Sequence, residues 1–246
     1  MPKDAKKTVK ASARAPGRVN RIGTEKESSL HHALKFRYAK SGGKTEVPFG
    51  LYVADGVRED GEIIEVQTGS FGPLKQKVHE LRKNAPVRII HPIIIAKYID
   101  VFDTDGQLLY RRKSPRRGSE WDLFKALLYA PELAACPGVM IELALVDVLE
   151  KRIKDGKGSW RRKGISLAGR ELAAWHDTII LKKRADYRRF LPFASDETFT
   201  VNDLGKQARI TVDLARKTLY VLTKMEVIER IGKKGNAFLY KIRNRN

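Results

Sequence analysis

Residues 47–92 read VPFGLYVADGVREDGEIIEVQTGSFGPLKQKVHELRKNAPVRIIHP, and the order of patterns within them sets the fold. Val47 to Val53 is rich in strand formers and runs into Asp55-Gly56. Glu62 to Gln67 alternates, so that Glu65 and Gln67 share one face while Ile64 and Val66 share the other. The charged, glycine-containing segment Arg58-Glu59-Asp60-Gly61 between these runs signals a hairpin, which brings Asp55 close to Glu65. Pro73 suits the first turn of a helix with Leu74, Val78 and Leu81 on one face and Lys75, Lys77, Arg82 and Lys83 elsewhere. Val87 to Ile90 then reads as a buried strand. A sheet built this way gathers two carboxylates, an amide and one or two lysines. The plain alternative is that Asp55 and Glu65 are ordinary turn and strand-surface acids.

Strand, Asp, turn, strand with Glu-x-Gln, helix and strand together resemble the core of the PD-(D/E)XK nuclease superfamily, which includes restriction endonucleases and junction resolvases. Two departures stand out: no Pro precedes Asp55, and Gln67 stands where the commoner pattern has Lys. The blocks SSLHHALKFRYA, EVQTGSF, RRKSPRRG and GKKGNAFLY also resemble a set of uncharacterised bacterial proteins over nearly the whole chain, a likeness that implies no activity. The nuclease resemblance implies a divalent metal, Mg²⁺ or Mn²⁺, that activates water and neutralises charge on a scissile phosphate. Two carboxylates and a backbone carbonyl suffice for such a hard cation, and these are Asp55, Glu65 and the Val66 carbonyl. The Gln67 amide orients water or stabilises phosphate charge, and Lys75, in the first turn of the next helix, replaces the missing cation, with Lys77 as the second choice. The resemblance further implies that an acid on a preceding helix reaches the metal. Lys26 to Tyr38 reads as that helix, with Leu30, Ala33 and Leu34 facing inward and Glu27 as the candidate; simple dipole complementarity is the alternative for Glu27. His31 and His32 diverge by roughly 100°, and a packing or surface role is expected for both.

The 246 residues carry Lys+Arg 49 against Asp+Glu 29, a net charge of +20, which points to a polyanionic partner, DNA first. Electrostatics do not distinguish the sugars, so RNA stays open. No apolar run is long enough to span a membrane and no signal peptide is evident, so a cytoplasmic protein without a membrane partner is expected. The lone Cys136 rules out an intramolecular disulfide framework and a cysteine-based zinc site. Neither a Walker-type loop nor an esterase elbow is present.

Residues 1–24 carry seven Lys or Arg and one Asp, and read as a basic flexible arm. After Pro92, two further strands are expected around the turn Asp103-Thr104-Asp105-Gly106, followed by RRKSPRRG, in which Arg111, Arg112, Lys113, Arg116 and Arg117 form a phosphate-gripping loop. Glu120 to Tyr129 reads as a helix capped by Ser119. Pro131 and Pro137-Gly138 suggest a boundary, dividing a nuclease-like domain at 25–130 from a DNA-binding region at 131–246. In the second part, Val139 to Leu149 reads as a strand, Trp160 with Arg161, Arg162 and Lys163 as a basic tip, and Gly169 to Leu181 as a helix striped by Leu172, Trp175 and Ile179.

Thr200 and Thr211 cap two successive helices, and two strands joined at Gly232-Lys233-Lys234-Gly235-Asn236 follow. Helix, turn, helix and strand pair resemble a winged helix-turn-helix, with Arg209, Arg216, Lys217 and Lys224 as helix contacts and Lys233, Lys234 and Asn236 as wing contacts. Winged helices also bind proteins. The expectation is an α+β chain with an N-terminal restriction-endonuclease-like domain, a mixed sheet flanked by helices, and a C-terminal winged-helix region. Its expected activity is metal-dependent endonucleolytic hydrolysis of duplex or junction DNA, with a homodimer left open. The alternative is a DNA-binding regulator or architectural protein on an inactive nuclease fold.

Overall fold

A mixed sheet of seven strands organises the chain from residue 44 to residue 181. The structure, a computed structural model, describes residues 29–39 and 42–243. In chain order the elements are α1 (Ser29–Ala39), β1 (Lys44–Phe49), β2 (Tyr52–Val57), β3 (Ile63–Val66), α2 (Lys75–Leu81), β4 (Val87–Phe102), β5 (Leu108–Lys113), α3 (Leu123–Ala126), β6 (Val139–Lys154), β7 (Ile165–Leu181), β8 (Thr198–Phe199), α4 (Val201–Gln207), α5 (Val212–Lys224), β9 (Ile228–Lys234) and β10 (Ala237–Ile242). The sheet runs β1-β2-β3-β4-β6-β7, with β5 on the outer half of β4. β3, β4 and β6 are mutually parallel, and the other pairings are antiparallel. The architecture is therefore α+β with a mixed sheet flanked by helices. Among the described residues no helix is long and apolar enough to cross a membrane.

Alternation along the strands feeds two cores. On one face, Leu30 and Leu34 of α1 pack onto Ile64, Val66, Ile90, Ala144, Val146 and Val148. On the other, Ile63, Ile89, Ile141 and Leu143 meet Val78 and Leu81 of α2, Phe124 of α3, and a continuous apolar cluster that includes Leu219 and Leu222 of α5. β8, β10 and β9 form a separate three-stranded sheet beside α4 and α5. Thr200 and Thr211 cap α4 and α5 through the amides of Asp203 and Leu214, as the sequence indicates.

Three sequence expectations change. The boundary expected between 130 and 131 falls inside the sheet, because β6 and β7 pair onto β4 and onto each other. The strand expected to stop before Pro92 continues through it as β4. Ile90 accepts from the Gln67 amide on the β3 side, so alternation aims the Pro92 nitrogen at the same edge, beyond the end of β3. The helix expected at 169–181 is part of β7. Register shifts in its pairing with β6 insert extra residues, so Leu172 and Trp175, three apart, face α1 together, while Ile179 lies in the opposite core. A bulged strand thus imitates helical spacing.

Leu34 is fully buried and Leu51 is 86% exposed at the β1–β2 turn. Leu34→Ala is expected to lower unfolding free energy by about 2–5 kcal/mol in denaturant titrations, and Leu51→Ala to change it by about 0.5 kcal/mol or less.

Candidate functional site

The β2–β3 ladder pairs Val57 with Ile63 and Gly56 with Ile64, and at its next step two carboxylates replace backbone partners. The Val66 amide donates to Asp55 Oδ2 at 2.7 Å, and the Asp55 amide lies 3.3 Å from Glu65 Oε1. Each acid is therefore held by peptide N–H, and the two carboxylates are fixed beside each other where the strands part. The expected proximity of Asp55 and Glu65 is present in the fold.

Helices on opposite faces complete the surroundings. From α1, His31 Nε2 lies 3.2 Å from Asp55 Oδ2, and Lys35 Nζ lies 3.9 Å from Asp55 Oδ1 and 3.2 Å from Glu46. From α2, Lys77 Nζ donates to Glu65 Oε2 at 2.6 Å. His31 and Lys35 are four residues apart and so meet the same neighbour from one helix face. Both were missed as site residues; their signal was a pair of polar residues flanking the buried Leu30 and Leu34 at matching spacing.

Environment separates the two acids. Burial works to raise the Asp55 pKa, but hydrogen bonds from His31 and the Val66 amide, with the charges of Lys77 and His31, outweigh it and hold the carboxyl below its ordinary value. Glu65 is 1% exposed. Burial, then the neighbouring Asp55 charge, push its pKa to about 7, against the opposing pull of Lys77 and the Asp55 amide. Two hard oxygen donors with mutual repulsion suit a small divalent cation better than a soft metal. Among the described residues no group of three or more His, Cys, Asp or Glu is placed to hold a metal.

Other expected site residues are placed as follows. Glu27 lies outside the described residues, as does the arm at 1–24. Lys75 pairs with Glu132 at 2.5 Å, so Lys77, two residues on, is the lysine that meets Glu65. The Gln67 side chain donates to the Ser70 carbonyl, tying down the loop after β3, and the Gln67 backbone carbonyl lies 2.6 Å from His91 Nδ1. The Val66 amide is spent on Asp55.

The basic candidates are dispersed. Arg111 forms a two-point pair with Asp100 at 2.6 Å, Lys113 lies over the Tyr98 ring, and Arg112, Arg116 and Arg117 are exposed. The loop carrying Arg116 and Arg117 is tied to β4 through the amides of Ser114 and Gly118, and a Cβ at 118 would come within 2.5 Å of the Ile94 carbonyl, so that approach requires glycine. Arg161 stacks near Trp160, itself 83% exposed, with Arg162 and Lys163 exposed beside it at the β6–β7 tip. Arg209 and Arg216 are exposed, Lys217 pairs with Asp213, and Lys224 lies near the Tyr220 ring. Lys233, Lys234 and Asn236 are exposed at the β9–β10 tip, with Arg230 and Lys233 both over Phe238.

Residues 28–182, more than half of the chain and the whole of the described seven-stranded sheet, match the family model described as Domain of unknown function (DUF8091), and the protein belongs to that family. It is also similar to a protein of Treponema pallidum (strain Nichols) described as an uncharacterized protein, at 26% identity over 220 residues, covering 89% of this chain and 87% of the Treponema protein. No solved structure matches the chain at a significant level.

Because Glu65 has a folded-state pKa of about 7, above its ordinary 4.5, its ionised form disfavours folding. Below the lower value both states are protonated and the cost is absent; it grows as pH rises between the two and is complete above the higher. Glu65→Gln is therefore expected to be more stable than the parent by about 3 kcal/mol near pH ~8, with the gap falling below about 1 kcal/mol near pH ~5, in metal-free denaturant titrations. A gap independent of pH would contradict this electrostatic account.

Proposed function

We propose that the protein is a metal-dependent endodeoxyribonuclease that hydrolyses phosphodiesters in duplex or junction DNA. The observation that carries this reading is the meeting of Asp55, Glu65 and Lys77 from two adjacent strands and the next helix. The order α1, β1, β2, β3, α2, β4, with a helix on each face, supports a PD-(D/E)XK-type core. The helix pair α4–α5 followed by the β9–β10 hairpin supports a winged-helix module. On α5, the exposed Arg216 and Lys224 suit a groove-facing helix, and the exposed tip at Lys233, Lys234 and Asn236 suits backbone contact.

Mg²⁺ or Mn²⁺, held by Asp55, Glu65 and the Val66 carbonyl, would supply activation of water and neutralisation of phosphate charge. The chain's own residues prepare that site. The Val66 amide and His31 hold Asp55 ionised and oriented. Glu65 gives up its proton near neutrality, which ties occupation of the site to pH. Lys77 takes the part that the resemblance gives to a lysine on β3: its ammonium faces Glu65 and provides a fixed positive charge for the phosphate oxygens.

A second reading, a DNA-binding regulator or architectural protein on a silent nuclease fold, is favoured by Gln67. That side chain is committed to the Ser70 carbonyl and contributes a loop contact. Cleavage of supercoiled plasmid, linear duplex and four-way junction with Mg²⁺, Mn²⁺ or EDTA separates the readings. Metal-dependent cutting is expected, lost in Asp55→Asn and Glu65→Gln, reduced about a hundredfold in Lys77→Ala, and unchanged in Lys75→Ala. Binding without cutting under every metal condition would replace the enzyme by the regulator.

A further inference from the structure

The long strands β4, β6 and β7 continue past the end of β3, and with β5 they form an outer half-sheet whose two faces are unequal in charge. Register fixes which side chains share a face, because residues directly paired across neighbouring strands point to the same side. One row is Arg112, Ile99, Glu150 and Arg170, running across β5, β4, β6 and β7. A second row on that side is Tyr110, Val101, Arg152 and Leu167, and a third pairs Lys97 with Val148 and Leu172. Val148 and Leu172 pack with Leu30 and Leu34, so this is the face that α1 covers further in. It carries Lys97, Arg112, Arg152 and Arg170 against the single acid Glu150.

The opposite face is close to balanced. Its rows contain Lys113, Tyr98, Leu149 and Glu171, then Arg111, Asp100, Lys151 and Gly169. Asp100 pairs with Arg111, and Glu171 with Lys151. Two of the three cations there are matched by a carboxylate.

On the α1 side, Glu150 is 1% exposed and touches three cations: Arg152 at 2.7 Å, Arg170 at 3.2 Å and Lys97 at 3.4 Å. One buried carboxylate cannot neutralise three cations, so it acts as a buried anchor that sets their positions and leaves positive charge facing solvent. Arg170 remains 41% exposed, and Arg112 is exposed at the far end of the same row. The exposed Tyr110 and Leu167 lie in the next row. Three strand spacings separate Arg112 from Arg170, about 14 Å. The first turn of α1 joins this face to the carboxylates: the Ser29 hydroxyl donates to the Arg170 carbonyl at 2.8 Å, and His31, two residues on, meets Asp55.

We propose that the α1-side face of this outer half-sheet is a track for the phosphate backbone of duplex DNA, with Arg112 and Arg170 as its phosphate contacts and Glu150 as the anchor that positions Arg152, Arg170 and Lys97. The proposal rests on the nuclease reading for its ligand and assigns the substrate path to one face. Arg111 and Lys113, adjacent in sequence to Arg112, are excluded from the track because alternation turns them to the other side.

The test is duplex affinity against NaCl concentration in EDTA, so that cleavage plays no part, with a short blunt DNA duplex as probe. Each phosphate contact adds about 0.9 to the slope of log K on log salt. Arg112→Gln/Arg170→Gln is expected to weaken binding and lower that slope by about 2, while Lys113→Gln/Lys151→Gln, which removes as much charge from the other face, leaves both unchanged. Arg112→Gln alone, at an exposed side chain, is expected to remove about 1 from the slope if the double variant does not fold. Equal losses from the two faces, or no loss from Arg112 and Arg170, would overturn the track and leave the nuclease reading standing. Failure of the parent protein to bind duplex would overturn both.

Discussion

Two backbone amides hold two acids together against their own repulsion, and the geometry of the site depends on that clasp. Where the β2–β3 ladder stops, the Val66 amide takes the Asp55 carboxylate and the Asp55 amide faces Glu65. The acids meet because of strand register, so moving either requires slipping a strand whose other side chains feed two cores. The cost falls mainly on Glu65, buried beside a carboxylate that stays ionised. Lys77 from one face and His31 and Lys35 from the other compensate in part. A buried acid that titrates at about 7 beside an ionised one would be stabilised in its charged form by a cation, which is the physical sense of the metal-site proposal.

The sheet serves two ends of one surface. Its inner half is sandwiched between α1 and the larger core that includes α2, α3 and α5. Beyond β3 it extends with β4, β6 and β7 as a flange on which polar rows replace apolar ones. Ile90, Ala144 and Val146 give way along the same face to Lys97, Glu150 and Arg152. α1 ends one region and begins the other, since its first turn reaches both β7 and Asp55.

Local pattern carried much of this information. The Asp-Gly and charged turn signals around residues 56–61 and the alternation through Glu65 brought the two acids to one place, and the caps Thr200 and Thr211 located α4 and α5. What failed depended on tertiary pairing. The spacing of Leu172 and Trp175 looked helical because a bulge adds a residue to a strand, and no single-chain periodicity separates the two cases. Pro92 looked like a stop because the open edge that accommodates it is created by where another strand ends. Lys75 and Lys77 were both plausible partners for Glu65; choosing between them required knowing that Glu132 lies beside the first. Rows such as Arg112 to Arg170 are invisible in sequence, since they join residues from four strands.

Calorimetric titration with Mn²⁺ in buffers of different ionisation enthalpy tests the central claim most directly, because it counts protons displaced by the metal without requiring a substrate. With Glu65 titrating at about 7, binding is expected to release close to one proton at about pH 6 and almost none at about pH 9, and Glu65→Gln to abolish the release. Absence of Mn²⁺ binding, or binding whose proton release is the same at both pH values and survives Glu65→Gln, would contradict the account.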